Sequence, residues 1–171
     1  MLSAWRLASL LIVCALASPA GAQVKPEKLT LPVSQLSDLL TGLNALDGRD
    51  KVIREGALER VVKVEYELDA GVRLAIGRDI MALRQVMQVG QAENQKIRSG
   101  FIAAGRLKFS VDGQRVEGEG LAEFNEKAQA ILDATADCDL YKLKASDLKL
   151  EKNPIPGTVI GSLQPILMDD K

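Results

Sequence analysis

The stretch AGVRLAIGRDIMALRQVMQVGQAENQKIRSGF, residues 70–101, decides the fold. Val72, Ile76, Ile80, Leu83, Met87, Gly90, Asn94, Ile97 and Phe101 recur in it at helical spacing and share one stripe. A hairpin, with Leu74 and Ile76 on a return strand, would leave that stripe without a purpose. At ~1.5 Å per residue, about 28 residues span ~42 Å, which is long for a domain of this size. Leu74 and Met81 lie opposite the stripe, so the first half is expected to be buried on two faces. Arg84, Gln85, Gln88, Gln91 and Gln95 point away from it in the second half, so only one face should be covered there. The helix is therefore expected to enter a core and then leave it, offering Val86, Met87 and Val89 to something else. Gly77 and Gly90 each cost such a helix about 1 kcal/mol relative to alanine. Gly90 falls in the stripe, where a missing Cβ is expected to let another backbone approach.

Upstream, PVSQLSDLLTGLNAL (32–46) places Val33, Leu36, Leu39, Leu40, Leu43 and Leu46 at helical spacing, and Asp47-Gly48 reads as a turn. The spacing predicts a helix over 33–46. QVKPEKLTL (23–31) reads as a lead-in and GRDKVIREGALE (48–59) as a polar link. RVVKVEYELD (60–69) alternates Val62, Val64, Tyr66 and Leu68 with Lys63, Glu65, Glu67 and Asp69, the period of a strand wet on one face. Asp69 is well placed to cap the long helix.

Downstream, GRLKFSVDGQRVEGEG (105–120) reads as a hairpin turning at Asp112-Gly113. LAEFNEKAQAILDATA (121–136) puts Leu121, Phe124, Ala128, Ile131 and Leu132 on one helical face. CDLYKLKA (138–145) reads as a strand. NPIPGTVIGSLQPIL (153–167) reads as a loop and a closing helix that packs through Val159, Ile160, Leu163 and Ile166. These elements predict an α+β fold, a small mostly antiparallel sheet packed by about four helices, one of them long. With no repeat or long linker between 30 and 168, one domain over 23–171 is expected.

The N-terminus, MLSAWRLASLLIVCALASPAGAQ, has a cationic Arg6, an apolar run from Leu7 to Ala17 and an Ala20-Gly21-Ala22 cleavage pattern. Those parts predict a signal peptide over 1–22 and a periplasmic or secreted protein. The run is too short for a bilayer-spanning helix of ~20 residues, so no integral membrane segment is expected after cleavage. Loss of 1–22 removes Cys14 and Trp5 and leaves Cys138 as a free thiol with no internal partner. A chain of ~150 residues buries ~70% of its unfolded surface and holds together without disulfides. Cys138 shares a strand face with Leu140, which points it inward. Asp137 and Asp139 on either side would raise its pKa and quench a reactive thiolate. An intermolecular disulfide remains an alternative.

The sequence has no histidine. One thiol without imidazole cannot build the usual zinc site, and Ser-His-Asp and Cys-His pairs are excluded. No metal or cofactor is expected. The 22 Lys+Arg stand against 23 Asp+Glu with no basic block, which disfavours nucleic acid as a partner. Gly118-Glu119-Gly120 lacks the final glycine of a dinucleotide fingerprint. Ser146-Asp147-Leu148-Lys149 matches S-x-x-K, the nucleophile motif of penicillin-recognising enzymes, without its companion elements, and reads as a solvated loop. Paired carboxylates are the common catalytic chemistry left. Glu65 with Glu67, or Glu117 with Glu119, would need a cleft and one raised pKa. Asp79 and Asn94 share or border the buried stripe and carry two readings: members of an interior hydrogen-bond network, or ligand contacts.

Tyr66-Glu67-Leu68, the run Val72 to Asp79 with Leu83, Glu93-Asn94, Phe124-Asn125, Asp147-Leu148 through Asn153, Ile155-Pro156 and Pro165-Ile166-Leu167 together resemble a group of short bacterial and prophage-associated proteins without an assigned activity. The resemblance covers most of residues 30–168 and implies no catalytic or binding residues. The expected function is that of an exported, non-catalytic binding domain with a protein partner or a second copy of itself. The alternatives are a carboxylate-dependent hydrolase of cell-wall or sugar material and a structural prophage component.

Overall fold

The computed structural model describes residues 25–55, 58–110 and 116–170, with side chains for all of these except 49–64. The expected signal peptide with Cys14, and the turn expected at Asp112-Gly113, lie outside the described residues. The chain runs β1 (Glu27–Pro32), α1 (Val33–Asp47), β2 (Arg49–Glu55), β3 (Leu58–Val64), α2 (Ala70–Ala103), β4 (Lys108–Phe109), β5 (Val116–Glu117), α3 (Leu121–Asp133), β6 (Thr135–Leu140), β7 (Leu143–Lys144), a 3₁₀ turn (Ala145–Leu148), α4 (Gly157–Leu163) and β8 (Leu167–Met168). This is the expected α+β class, with four α-helices among the described residues and α2 the longest. The strands form four two-stranded pairs. Three are antiparallel (β1–β6, β2–β3, β4–β5), and β7–β8 is parallel. No helix among the described residues is long and apolar enough to cross a membrane.

The core forms where the α1 and α2 stripes meet. Leu36, Leu39, Leu43 and Leu46 of α1 are fully buried against Ile76, Ile80 and Leu83 of α2, with Leu140, Leu143, Leu163 and Ile166 closing the far sides. Gly42 is where α4 comes closest to α1: a Cβ there would stand 2.1 Å from Ser162 Oγ. The helix-to-helix glycine is therefore Gly42 and not Gly90. A Cβ at Gly90 would meet only Ile131 and Val33 side chains, at 3.7 and 3.9 Å, ordinary contact distances.

Leu74 and Met81 are 57% and 65% exposed, so the first half of α2 is buried on one face and not on two. The elements available to cover it, α1 and β6, both lie on the stripe side. Val89 is 72% exposed, and Arg84, Gln85, Gln88, Gln91 and Gln95 face outward as expected.

Two segments read as connections are strands. β1 pairs with β6 and sets Leu29 opposite Cys138 and Leu31 opposite Ala136. Its outward residues bind Asp137, with Lys28 Nζ at 2.7 Å and Thr30 Oγ1 donating at 2.6 Å. β2, in the polar link, is the antiparallel partner of β3. In the other direction, the alternating run 60–69 leaves the ladder at Val64, yet its alternation persists: Tyr66 and Leu68 are buried while Glu65, Glu67 and Asp69 are exposed. The hydrogen bonds at its centre come from Asn153. The Asn153 Oδ1 accepts from the Glu67 N–H at 2.8 Å, and its Nδ2 donates to the Glu67 and Leu148 carbonyls at 3.4 and 2.8 Å. A side-chain amide thus stands in for a neighbouring strand, which backbone polar groups in a buried run require. Asp69 occupies the N-cap position of α2 without a capping hydrogen bond. Its carboxylate accepts from Lys149 Nζ at 2.6 Å instead.

Candidate functional site

The two polar residues of the α2 stripe stand 15 residues apart, ~22 Å along the helix axis, in different surroundings. Asp79 is fully buried in the half of α2 that packs on β6. Its Oδ1 accepts from the Tyr141 N–H at 2.9 Å, while its Oδ2 meets no donor among the described residues. Burial pushes the Asp79 carboxyl up to about 7, and the Tyr141 N–H offsets part of that rise. Arg78, its neighbour on the helix, also meets Tyr141, donating to its hydroxyl at 3.0 Å. Asp79 therefore ties α2 to the end of β6 from within the core, and no cleft opens onto it among those described.

Cys138 is 6% exposed and free. Burial pushes its thiol up, and Asp79 and then Asp139 push it further. The carboxylate acting on it most strongly is thus Asp79, from another element. Asp137 is turned outward to Lys28 and Thr30. Burial of the sulfur disfavours an intermolecular disulfide in the folded protein.

The S-x-x-K pair is divided between two acids. Ser146 Oγ donates to Asp170 at 2.6 Å, whereas Lys149 Nζ binds Asp69. Ser146 therefore has no lysine base. Glu65, Glu67, Glu117 and Glu119 are all exposed. Asp79 is the one carboxyl with a raised pKa among those whose side chains are described, and no second carboxylate contributes to its rise. No group of three or more Cys, Asp or Glu among the described residues could hold a metal ion.

Asn94 lies in the distal half of α2 and lines a groove of about 630 Å³ between that half, the start of α1 and α3. The floor is apolar, made by Val33, Met87, Gly90, Ala128 and Ile131. The rim is carboxamide: Gln91, Asn94 and Gln95 from α2 face Asn125 and Gln129 from α3. Helical spacing creates it. On α2, Asn94 and Gln95 lie three and four residues after Gln91 and four and three before Arg98, the spacing that keeps residues on one side of a helix. α3 has no fully buried residue, so it lies on α2 as a strut and leaves the trough open. Among the described residues only Gln129 of these amides has a partner, donating to Asp133 at 2.9 Å.

No family model, curated protein or solved structure matches the sequence. The candidate site therefore rests on its own geometry. Sequence reading singled out Asn94 and placed Gln91 and Gln95 on the wet side of α2, but it missed Asn125, Gln129 and Arg98. The available signal was the recurrence of amides where a solvated helix face ordinarily carries Glu and Lys.

Proposed function

We propose that the chain is an exported, non-catalytic binding domain whose ligand sits in the groove between distal α2 and α3. The observation that carries this reading is the groove's chemistry: an apolar floor under a rim of carboxamides, four of which have no partner among the described residues. Each carboxamide offers both a donor and an acceptor, so together they suit a polar, amide-rich ligand with an apolar underside. The N-terminal Arg6, apolar run and Ala20-Gly21-Ala22 support export, and a core that needs no disulfide suits the single buried thiol. A carboxylate-dependent hydrolase draws no support from Asp79, whose carboxyl is enclosed and unpaired with another acid.

Two experiments test the two halves of the reading. Mass spectrometry of the chain recovered from its native cell should find Gln23 as the first residue; an intact Met1 or Trp5 contradicts export. Amide chemical-shift mapping against a fragment library should place hits on residues 87–98 and 125–132. Those hits should vanish in Ala128→Arg, which fills the trough from a partly exposed position. Hits that persist in that variant contradict the groove as ligand seat.

A further inference from the structure

We infer that the groove recognises a ligand bearing a free carboxylate, the C-terminal end of a peptide, with Arg98 as the anchor. This rests on the groove being the ligand seat. Arg98 is the one charged residue in the lining, and no Asp or Glu accompanies it. Four other arginines have described side chains, and each has an acceptor. Arg73 meets Glu65 and the Tyr66 carbonyl, Arg106 meets Glu123, Arg78 donates to Tyr141 and Arg84 to Asn44. Among the described residues Arg98 alone has none; its guanidinium instead lies over the Phe109 ring, 5.6 Å from the centroid.

A guanidinium held over an aromatic face by a cation-π contact spends none of its N–H donors on a hydrogen-bond acceptor. That planar fork matches a carboxylate with two parallel hydrogen bonds. The contact with Phe109 favours one placement of the side chain, which reduces the entropy lost on binding. The rest of the groove describes what carries the carboxylate. Asn94 and Asn125 line the trough from α2 and α3 and have no partner among the described residues, so their donors and acceptors can pair with peptide groups. Met87 and Ile131 below them offer apolar surface to a side chain. A single cation is too little for a nucleic-acid backbone. No aromatic residue lines the groove for a sugar acid to stack on. A peptide terminus, with one negative charge and a run of amides behind it, fits all three parts.

The test is a chemical-shift titration of the full chain with a mixture of tripeptides carrying free C-terminal carboxylates, repeated with the same mixture amidated. The expected result is shifts at Asn94, Arg98 and Asn125 with the acids. Affinity should fall about tenfold for the amidated mixture and in Arg98→Gln, as the loss of a charged hydrogen bond implies, with partial recovery in Arg98→Lys. Equal binding of acids and amides in the groove overturns the carboxylate anchor while leaving the groove as a ligand seat. No groove shifts with either mixture, when fragments still bind there, overturns the peptide assignment alone. If fragments fail as well, the seat falls with it.

Discussion

Asp79 and Tyr141 are 62 positions apart, and the carboxylate of the first accepts the backbone N–H of the second at 2.9 Å inside the core. The bond occupies one oxygen; the other has no donor among the described residues. With the carboxyl raised to about 7, its protonation changes across neutral pH.

The sign of the resulting pH dependence follows from linkage. An ordinary aspartate in the unfolded chain titrates near 4, so between ~4 and ~7 the folded state binds more protons than the unfolded state. The stability contributed by the neutral carboxyl is fully present below the unfolded pKa and is lost as pH rises through 7. By alkaline pH the total loss is on the order of 4 kcal/mol. Asp79→Asn retains an acceptor for Tyr141 without the charge. Urea unfolding from pH 5 to 8.5 should show a falling midpoint in the natural chain and a flatter one in the variant, with the variant more stable at pH 8.5. Parallel slopes would contradict this.

Asn153 is 3% exposed and serves two segments distant in sequence, Glu67 and Leu148. Asn153→Ala would leave a backbone donor and acceptors without partners, at about 1–3 kcal/mol for a buried group left unsatisfied. Asn153→Asp keeps the acceptor for the Glu67 N–H but loses both donors, and should be as damaging or worse because it also buries a charge. Thermal melts of both variants check this. An unchanged midpoint in Asn153→Ala would mean that the 65–69 segment does not depend on that amide.

Two glycines should respond in opposite directions to alanine. At Gly42 the new Cβ would collide with Ser162 Oγ and stand 3.2 Å from its Cβ, forcing α1 and α4 apart at a cost of about 1–3 kcal/mol. Ser162→Gly should restore part of the loss. At Gly77 nothing lies within 4 Å, so alanine gains only helix propensity, roughly 0.5–1 kcal/mol. Denaturant midpoints of the two single variants and the Gly42→Ala/Ser162→Gly pair separate the two effects.

Cys138 should behave as a core residue. Alkylation by iodoacetamide should be on the order of 100-fold slower in the native chain than in the unfolded one, because the thiol is enclosed and its thiolate is disfavoured. Rapid native labelling would mean that β1–β6 opens readily.

The long helix, the leucine face of α1 and the inward thiol were legible in the sequence because each rests on a repeat of several like residues. β1 was not: only Leu29 and Leu31 alternate in it, and its pairing with β6 is set across more than a hundred residues. The polar link hid β2 because a hairpin edge carries charges that resemble those of a loop. Tyr66 and Leu68 kept the alternation of a strand without being one, since alternation reports which side is wet and not which groups pair. Asn94 stood out as a polar residue in an apolar stripe. Arg98 and Asn125 did not, because what distinguishes them is a shared trough and the lack of a hydrogen-bond partner among the described residues, and the trough depends on how α3 lies on α2.

A crystal structure of the chain with the tightest-binding tripeptide acid is the most direct measurement of the central claim. The account predicts the peptide in the trough between α2 and α3, its amides on Asn94 and Asn125 and its terminal carboxylate on the Arg98 guanidinium. A peptide seated elsewhere, for instance on the exposed Leu74 and Met81 side of α2, would contradict it.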